Sequence, residues 1–478
     1  MLVVQAETNF KTLYLIIKVF TSDNHFTANL LKPIYVGILW LCHTAVLSQV
    51  PHVTLPKPAS LQPEIIGFDT PTNTTQSTID PFNARQNANN QAIMQEVDEH
   101  IALQQRQREI VEEAAKELNK TRATGGNIRI DYELRGRDIP GREMFYYAYR
   151  EMEAMLSGRQ PLSLKKAVFL YEKAYNPSLD WQTYNDKISG MVEHLGYAMQ
   201  QEGVKENNNL GKNMMLFNFF TDTLTVNHPG KEKPVTTYPM LYDFHDFWGR
   251  NDYNNQFVTK LLQTGSGQCH SLPLLYLILA EETGTQAHLA FSPSHSYIKI
   301  QDGRGQWYNM ELTNHTFTTD YFLMQSGFIK AEALANGIYL QPLSTREVMG
   351  QMVMDLAGAF VHKFGYEDFV LACTQLAQQS GVKSMAVHQQ YFNYYLNLHN
   401  HILNQYKSYG LTKADFENDE MAMKVYGQVI GSHKHIEKQG YVEMPAEQYE
   451  AWLNSVQEEG RKQEHKIKMR ALINQLND

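Results

Sequence analysis

The sequence predicts an α+β protein: a cysteine-bearing helix packed on an antiparallel sheet, with helical regions on either side. Three observations predict it. Residues 286–292, 294–301 and 306–312 are short runs rich in aliphatic and aromatic residues, separated by turn residues, as strands are. Just before them Leu272, Leu274, Leu275, Leu277, Ile278 and Leu279 make a stretch apolar nearly all round, the mark of a buried helix. Outside this block, apolar residues recur at helical spacing. At 478 residues, length alone suggests roughly three units.

In chain order, residues 1–48 read as a leader. Lys32 precedes the apolar run 34–42, which fades into small residues at Val46 and Ser48. A basic residue, a short apolar core and small residues resemble a secretory signal peptide, here cleaved after Ser48. The run is short for a membrane span, which needs about 20 apolar residues. The expectation is export, to the periplasm or outside the cell. The alternative is a chain anchored in the membrane by this segment. The leader is long, with a second apolar patch at 13–20. Residues 49–88, rich in Pro, Thr, Asn, Gln and Ser, read as a flexible linker.

Residues 89–225 read as a helical domain. Ile93, Val97, Ile101, Ile110, Val111, Ala114 and Leu118 recur at helical spacing until Thr124-Gly125-Gly126 breaks the pattern. Helices are expected over 141–156, with Phe145, Tyr149, Met152 and Leu156 on one face, over 162–175, over 181–201 and over 210–224. Residues 165–177 are weakly similar to the second helix of a tetratricopeptide unit, without a 34-residue period to support one. A core is expected over 226–330: a loop at 228–234, a partly helical aromatic stretch at 242–264, then the helix and strands above. Residues 331–478 return to helix, over 344–379, 385–409 and 414–433, with a charged helical tail over 446–477.

The chemistry sits in the central block. Cys269 follows Gly265-Ser266-Gly267-Gln268 and precedes the buried helix. Pro273 fits only in a first helical turn, which fixes the start near residues 269–272, and Gly284 suits its end. At a helix start the dipole and free N–H groups favour a thiolate and an oxyanion. An isolated cysteine there is more often a small packing residue. His295 opens the second strand and Glu311 closes the third, and this joint placement is what is specific. The turn Asp302-Gly303-Arg304-Gly305 decides whether they meet. A two- or four-residue loop puts Glu311 on the opposite face. A three-residue loop, Gly303-Arg304-Gly305 with Gly305 left-handed, pairs Tyr297 with Glu311 and sets His295 and Glu311 diagonally on one face. His295 then serves as base and Glu311 orients it.

These residues resemble the transglutaminase-like (papain-like cysteine) superfamily, whose pattern is Gly-x-Cys at a helix start, His opening a strand, and Trp-x-x-x-Asp closing the next. Here they are Gly267-Gln268-Cys269, His295 and Trp307-Tyr308-Asn309-Met310-Glu311. The chain is most similar to a bacterial branch in which this core precedes tetratricopeptide-like helices, through residues 261–284 and Pro342-Leu343-Ser344-Thr345-Arg346-Glu347. The resemblance covers about residues 240–400. It implies a catalytic triad of Cys269, His295 and Glu311 and a thioester formed on protein or peptide amides, with hydrolysis favoured over crosslinking. It also implies an oxyanion glutamine, for which Gln263, six residues before Cys269, and Gln268 are the candidates. Glu311 departs from the usual Asp, and Asn314 is an alternative third residue. The short interval from Cys269 to His295 leaves no room for large substrate loops. The alternative function is a catalytically inactive scaffold or binding module whose helices bind a protein partner.

Composition excludes other classes. The net charge of −9 gives no basic field for nucleic acid. Of three cysteines, Cys42 leaves with the leader and Cys373 lies in an apolar helical stretch, where a buried inert thiol is expected. A Cys269–Cys373 disulfide would block the nucleophile and ranks low. Cys269, His270, His288, His295 and His315 lack the ligand spacing of a zinc site, and His433/His435 belong on an exposed helix end, so neither metal nor cofactor is expected.

Overall fold

The computed structural model describes residues 128–136, 139–247, 249–442, 458 and 460–463. The leader, the linker, the 89–120 helix and nearly all of the 446–477 tail lie outside the described residues. The rest is mostly helical with small sheets, an α+β arrangement. Of the described residues, Glu133–His399 and those from Met423 belong to one compact unit; 128–132 and Asn400–Ala422 belong to a second.

Four helices come first: α1 (Arg142–Leu156), α2 (Leu164–Tyr175), α3 (Trp181–Gln201) and α4 (Asn209–Thr221). Their starts follow capping chemistry, with Ser163, Asp180 and Asn208 each accepting a backbone N–H of the first turn. The last helix ends at Thr221, short of the expected 224, because Leu224-Thr225-Val226 prefers an extended conformation. It forms β1 (Leu224–Val226), antiparallel to β2 (Val235–Thr237) across the expected loop. β3 (Leu241–Tyr242) follows. The aromatic stretch is helical only over a 3₁₀ turn at Tyr253–Gln256 and α5 (Val258–Thr264).

After α5 the chain forms β4 (Ser266–Gly267), parallel to β3, then α6 (Ser271–Glu282), β5 (His288–Ser292), β6 (His295–Gln301), β7 (Trp307–Glu311) and β8 (Thr316–Thr318). The last four form an antiparallel sheet in sequential order, one strand more than the sequence suggested. Helix α6 closes with a Schellman motif: Gly284 is left-handed (φ 60°), its N–H donates to the Glu281 carbonyl, and Thr285 N–H donates to the Ala280 carbonyl. The free edge of β5 is covered, since Leu340 and Leu343 N–H donate to the Phe291 and Leu289 carbonyls.

Then come α7 (Asp320–Ser326), α8 (Ala331–Ala335), α9 (Thr345–Phe364), α10 (Asp368–Ser380), α11 (Met385–Ser408), α12 (Lys413–Glu417) and α13 (Glu420–Lys438). A Ser344/Glu347 capping box starts α9. The expected single helix over 344–379 is broken, because Gly365 (φ 84°) ends α9 and residues 365–367 turn the chain into α10. The expected helix over 414–433 is likewise split. Asp419 accepts the Ala422 N–H and starts α13 afresh.

The sheet separates two cores. Leu289, Ile298, Ile300 and Met310 pack with the α6 leucines and the helices α1, α2, α4, α9 and α10. Ala290 and Tyr297, on the other face, pack with Leu323, Ala333, Ile338, Phe392, Val429 and Ile436. Two carboxylates, buried Glu172 and exposed Glu281, tie helices together. Glu172 of α2 accepts the Val258 and Thr259 N–H groups that open α5, at 2.6 and 2.9 Å. Glu281 of α6 accepts the Leu164 N–H that opens α2, at 3.0 Å. In the second unit, Tyr132 and Tyr406 both donate to Asp419, and Gln405 both donates to and accepts from the backbone of Asp131.

Candidate active site

Cys269 is delivered by a tight lead-in. Gly265 (φ 67°) ends α5, and β4 pairs Ser266 and Gly267 with Leu241 and Tyr242. At Gly267 a Cβ would lie 2.7 Å from Ser271 Oγ and 3.2 Å from Leu261, so a side chain there meets the helix start. The Gln268 N–H donates to Ser271 Oγ (3.0 Å) and Leu272 N–H to the Gln268 carbonyl (3.0 Å), which winds the chain into α6. Cys269 sits two residues before Ser271, with Pro273 inside the first turn. Its thiol is free, and the residue is only 1% exposed.

His295 and Glu311 are brought together by the hairpin. Ile298 faces Met310, Lys299 faces Asn309 and Gln301 faces Trp307. The same register, continued one residue, sets Tyr297 opposite Glu311. The loop is Gly303-Arg304-Gly305: Asp302 N–H bonds the Gln306 carbonyl, Gly305 N–H bonds the Asp302 carbonyl, and Gly305 is left-handed at φ 82°. Asp302 Oδ1 also accepts the Arg304 and Gln306 N–H groups, which fixes the odd loop length. His295 and Glu311 therefore share a face.

His295 Nε2 donates to Glu311 Oε2 at 2.5 Å, both side chains being almost wholly buried. The longer glutamate side chain spans the diagonal. Its other oxygen accepts the Thr313 hydroxyl (2.9 Å) and N–H (3.3 Å), so the carboxylate is held at both ends. Asn314, the alternative third residue, instead accepts the Thr316 hydroxyl. Burial disfavours the charged imidazole, but the Glu311 carboxylate and the neighbouring Cys269 side chain outweigh it and push the His295 pKa up to about 10. With Nε2 committed to Glu311, Nδ1 is buried without a hydrogen-bond partner, the Cys269 thiol included, and is the nitrogen left for it.

The two glutamines fare differently. Gln263 is exposed on α5. Gln268 is fully buried and its Nε2 donates to the Asp246 carbonyl (3.0 Å), which anchors the 243–257 loop beside the cysteine. Among the described residues none accepts the Cys269 N–H, at the start of the helix.

Sequence reasoning missed three partners. Thr313 braces Glu311; His270, next to Cys269, lies 3.4 Å from Asp355 of α9; and the Ser296 hydroxyl donates to the Cys269 carbonyl. The first is a local hydroxyl two residues from its carboxylate, a pattern readable in sequence. The other two depend on tertiary placement. Cys373 is fully buried in α10 and free. Among the described residues no three His, Cys, Asp or Glu side chains converge to hold a metal.

No protein-family model, curated protein or solved structure matches this chain.

Proposed function

We propose that this chain is a transglutaminase-like cysteine enzyme that forms a thioester on Cys269 from protein or peptide amides. The observation that carries the reading is buried His295, bonded to Glu311 through Nε2, with the Cys269 side chain beside it. A charged imidazole beside the thiol is the setting for a thiolate–imidazolium pair. In the reaction the Cys269 sulfur attacks the amide carbonyl carbon, and the oxygen charge falls to the Cys269 N–H at the helix start. His295 gives its proton to the leaving amine as the C–N bond breaks, and a thioester remains. His295 then takes a proton from water, whose oxygen displaces the sulfur and yields a carboxylic acid. We favour hydrolysis over transfer to an amine, because transfer needs a second bound nucleophile and exclusion of water. The basic, apolar and small-residue pattern over 32–48 supports a location outside the cytoplasm, and the flanking helices offer surface for a protein partner.

One observation favours a second reading, a catalytically inactive scaffold: Cys269 is almost completely covered. Iodoacetamide labelling of the intact chain separates the two, with buried Cys373 as internal reference. The enzyme reading expects Cys269 to react at neutral pH and to slow by about tenfold or more in His295→Ala. A Cys269 as inert as Cys373, or one indifferent to His295→Ala, supports the scaffold.

A further inference from the structure

Ser296 follows the base, and strand alternation turns it to the opposite face of β6. Its hydroxyl donates to the Cys269 carbonyl at 2.5 Å. That carbonyl has no helical donor of its own. The residue four positions on is Pro273, which carries no N–H. The bonds on either side are made: Leu272 N–H to the Gln268 carbonyl at 3.0 Å and Leu274 N–H to the His270 carbonyl at 3.3 Å. Cys269 and Ser296 are both buried, so solvent does not supply the missing donor.

We propose that Ser296 is the positioning residue of the nucleophile. Its hydroxyl takes the place of the N–H that Pro273 lacks and clamps the Cys269 backbone to strand β6. The dipeptide His295-Ser296 thereby holds both partners of the reaction, the base through one side chain and the thiol's backbone through the next. A helical N–H would fix Cys269 only relative to its own helix. A bond from β6 fixes it relative to the strand that carries the imidazole, the separation on which thiolate formation and proton transfer depend. The proposal rests on the acyl-transfer reading and deepens it.

The test compares the full chain with Ser296→Ala, Pro273→Ala and the double variant, by the pH dependence of Cys269 alkylation with iodoacetamide. Ser296→Ala is expected to react about tenfold more slowly at neutral pH. It should rejoin the wild type in strongly alkaline solution, where any thiol is ionised; a simple packing defect would shift the rate at every pH. Pro273→Ala supplies an N–H that satisfies the Cys269 carbonyl but ties it only to its own helix, so the double variant should stay about tenfold slower than wild type at neutral pH. A Ser296→Ala rate equal to wild type, a deficit uniform in pH, or a double variant restored to the wild-type rate overturns the proposal. If Ser296→Ala does not fold, a folded double variant that is slow at neutral pH and normal in alkali supports the clamp, and one that reacts as wild type or does not fold overturns it. A wild-type Cys269 that is inert or independent of His295 removes the acyl-transfer reading and this proposal together. A reactive, His295-dependent wild type with an indifferent Ser296→Ala removes this proposal alone.

Discussion

Glu311 is where the site departs from the usual aspartate, and the geometry shows how one extra methylene is accommodated. His295 and Glu311 are diagonal across the β6–β7 hairpin, and the carboxylate reaches Nε2 at 2.5 Å while Thr313 steadies its far oxygen. Glu311→Gln keeps the shape and removes the charge that favours the imidazolium. Alkylation of Cys269 at neutral pH should fall by about tenfold or more, since one pKa unit is worth 1.36 kcal/mol between protonation states. The same bond should appear in stability. A histidine whose folded pKa lies above its unfolded value near 6.5 stabilises fully below that value and loses the contribution as pH rises towards about 10. The thermal midpoint should therefore decline from pH 6.5 to 10 in the wild type and decline less in Glu311→Gln. Equal slopes would show that the pair does not hold the proton. The types and order of the three residues were legible in the sequence, and so was the odd loop, because Gly305 is the residue a left-handed position demands. Ser296 was not legible. A serine beside a histidine means nothing until the helix start is laid across its strand and Pro273 is seen to leave a carbonyl without a donor.

Helix α5 leads into the cysteine turn, yet it opens without a side-chain cap of its own: Phe257 occupies that position. Its first N–H groups are taken by Glu172, a residue 0% exposed and distant in sequence. Burial raises the Glu172 pKa to about 7 despite those bonds, so the carboxylate is retained against a desolvation cost. Glu172→Ala leaves two buried N–H groups without acceptors and should destabilise the chain by about 2–4 kcal/mol in urea denaturation. Glu172→Gln, which keeps one acceptor oxygen, should cost roughly half of that. A Glu172→Gln variant as stable as the wild type would mean that packing, not the acceptor pair, is Glu172's role. Local caps such as Asp180 and the Ser344/Glu347 box are readable because donor and acceptor lie within a turn. A cap supplied from another helix carries no sequence spacing, and the division of 344–379 at Gly365 was lost because apolar residues continue on both sides of it.

For the whole molecule, the boundaries expected at 225/226 and 330/331 fall inside β1 and between α7 and α8. Packing follows a different logic. One hydrophobic core holds Phe145 and Tyr171 from the first helices, Leu275 and Ile298 from the centre, and Phe360 and Val370 from the later ones. Glu172 and Glu281 add reciprocal caps between α2 and the elements on either side of Cys269. A fragment limited to 226–330 would expose the apolar surface of α6 that those helices cover, at a cost of about 25 cal/mol per Å² of apolar area returned to water. It also leaves the opening N–H groups of α5 without their acceptor. Such a fragment should lack the dispersed amide NMR spectrum of a folded chain, whereas the intact chain should show one. A well-dispersed spectrum from 226–330 alone would mean that the Cys269 helix and its sheet are self-sufficient and that the earlier helices are attached rather than structural. The reactivity of Cys269 should follow the same dependence. The turn that presents it is wound between β3, α5 and α6, and α2 holds two of those three elements by their ends.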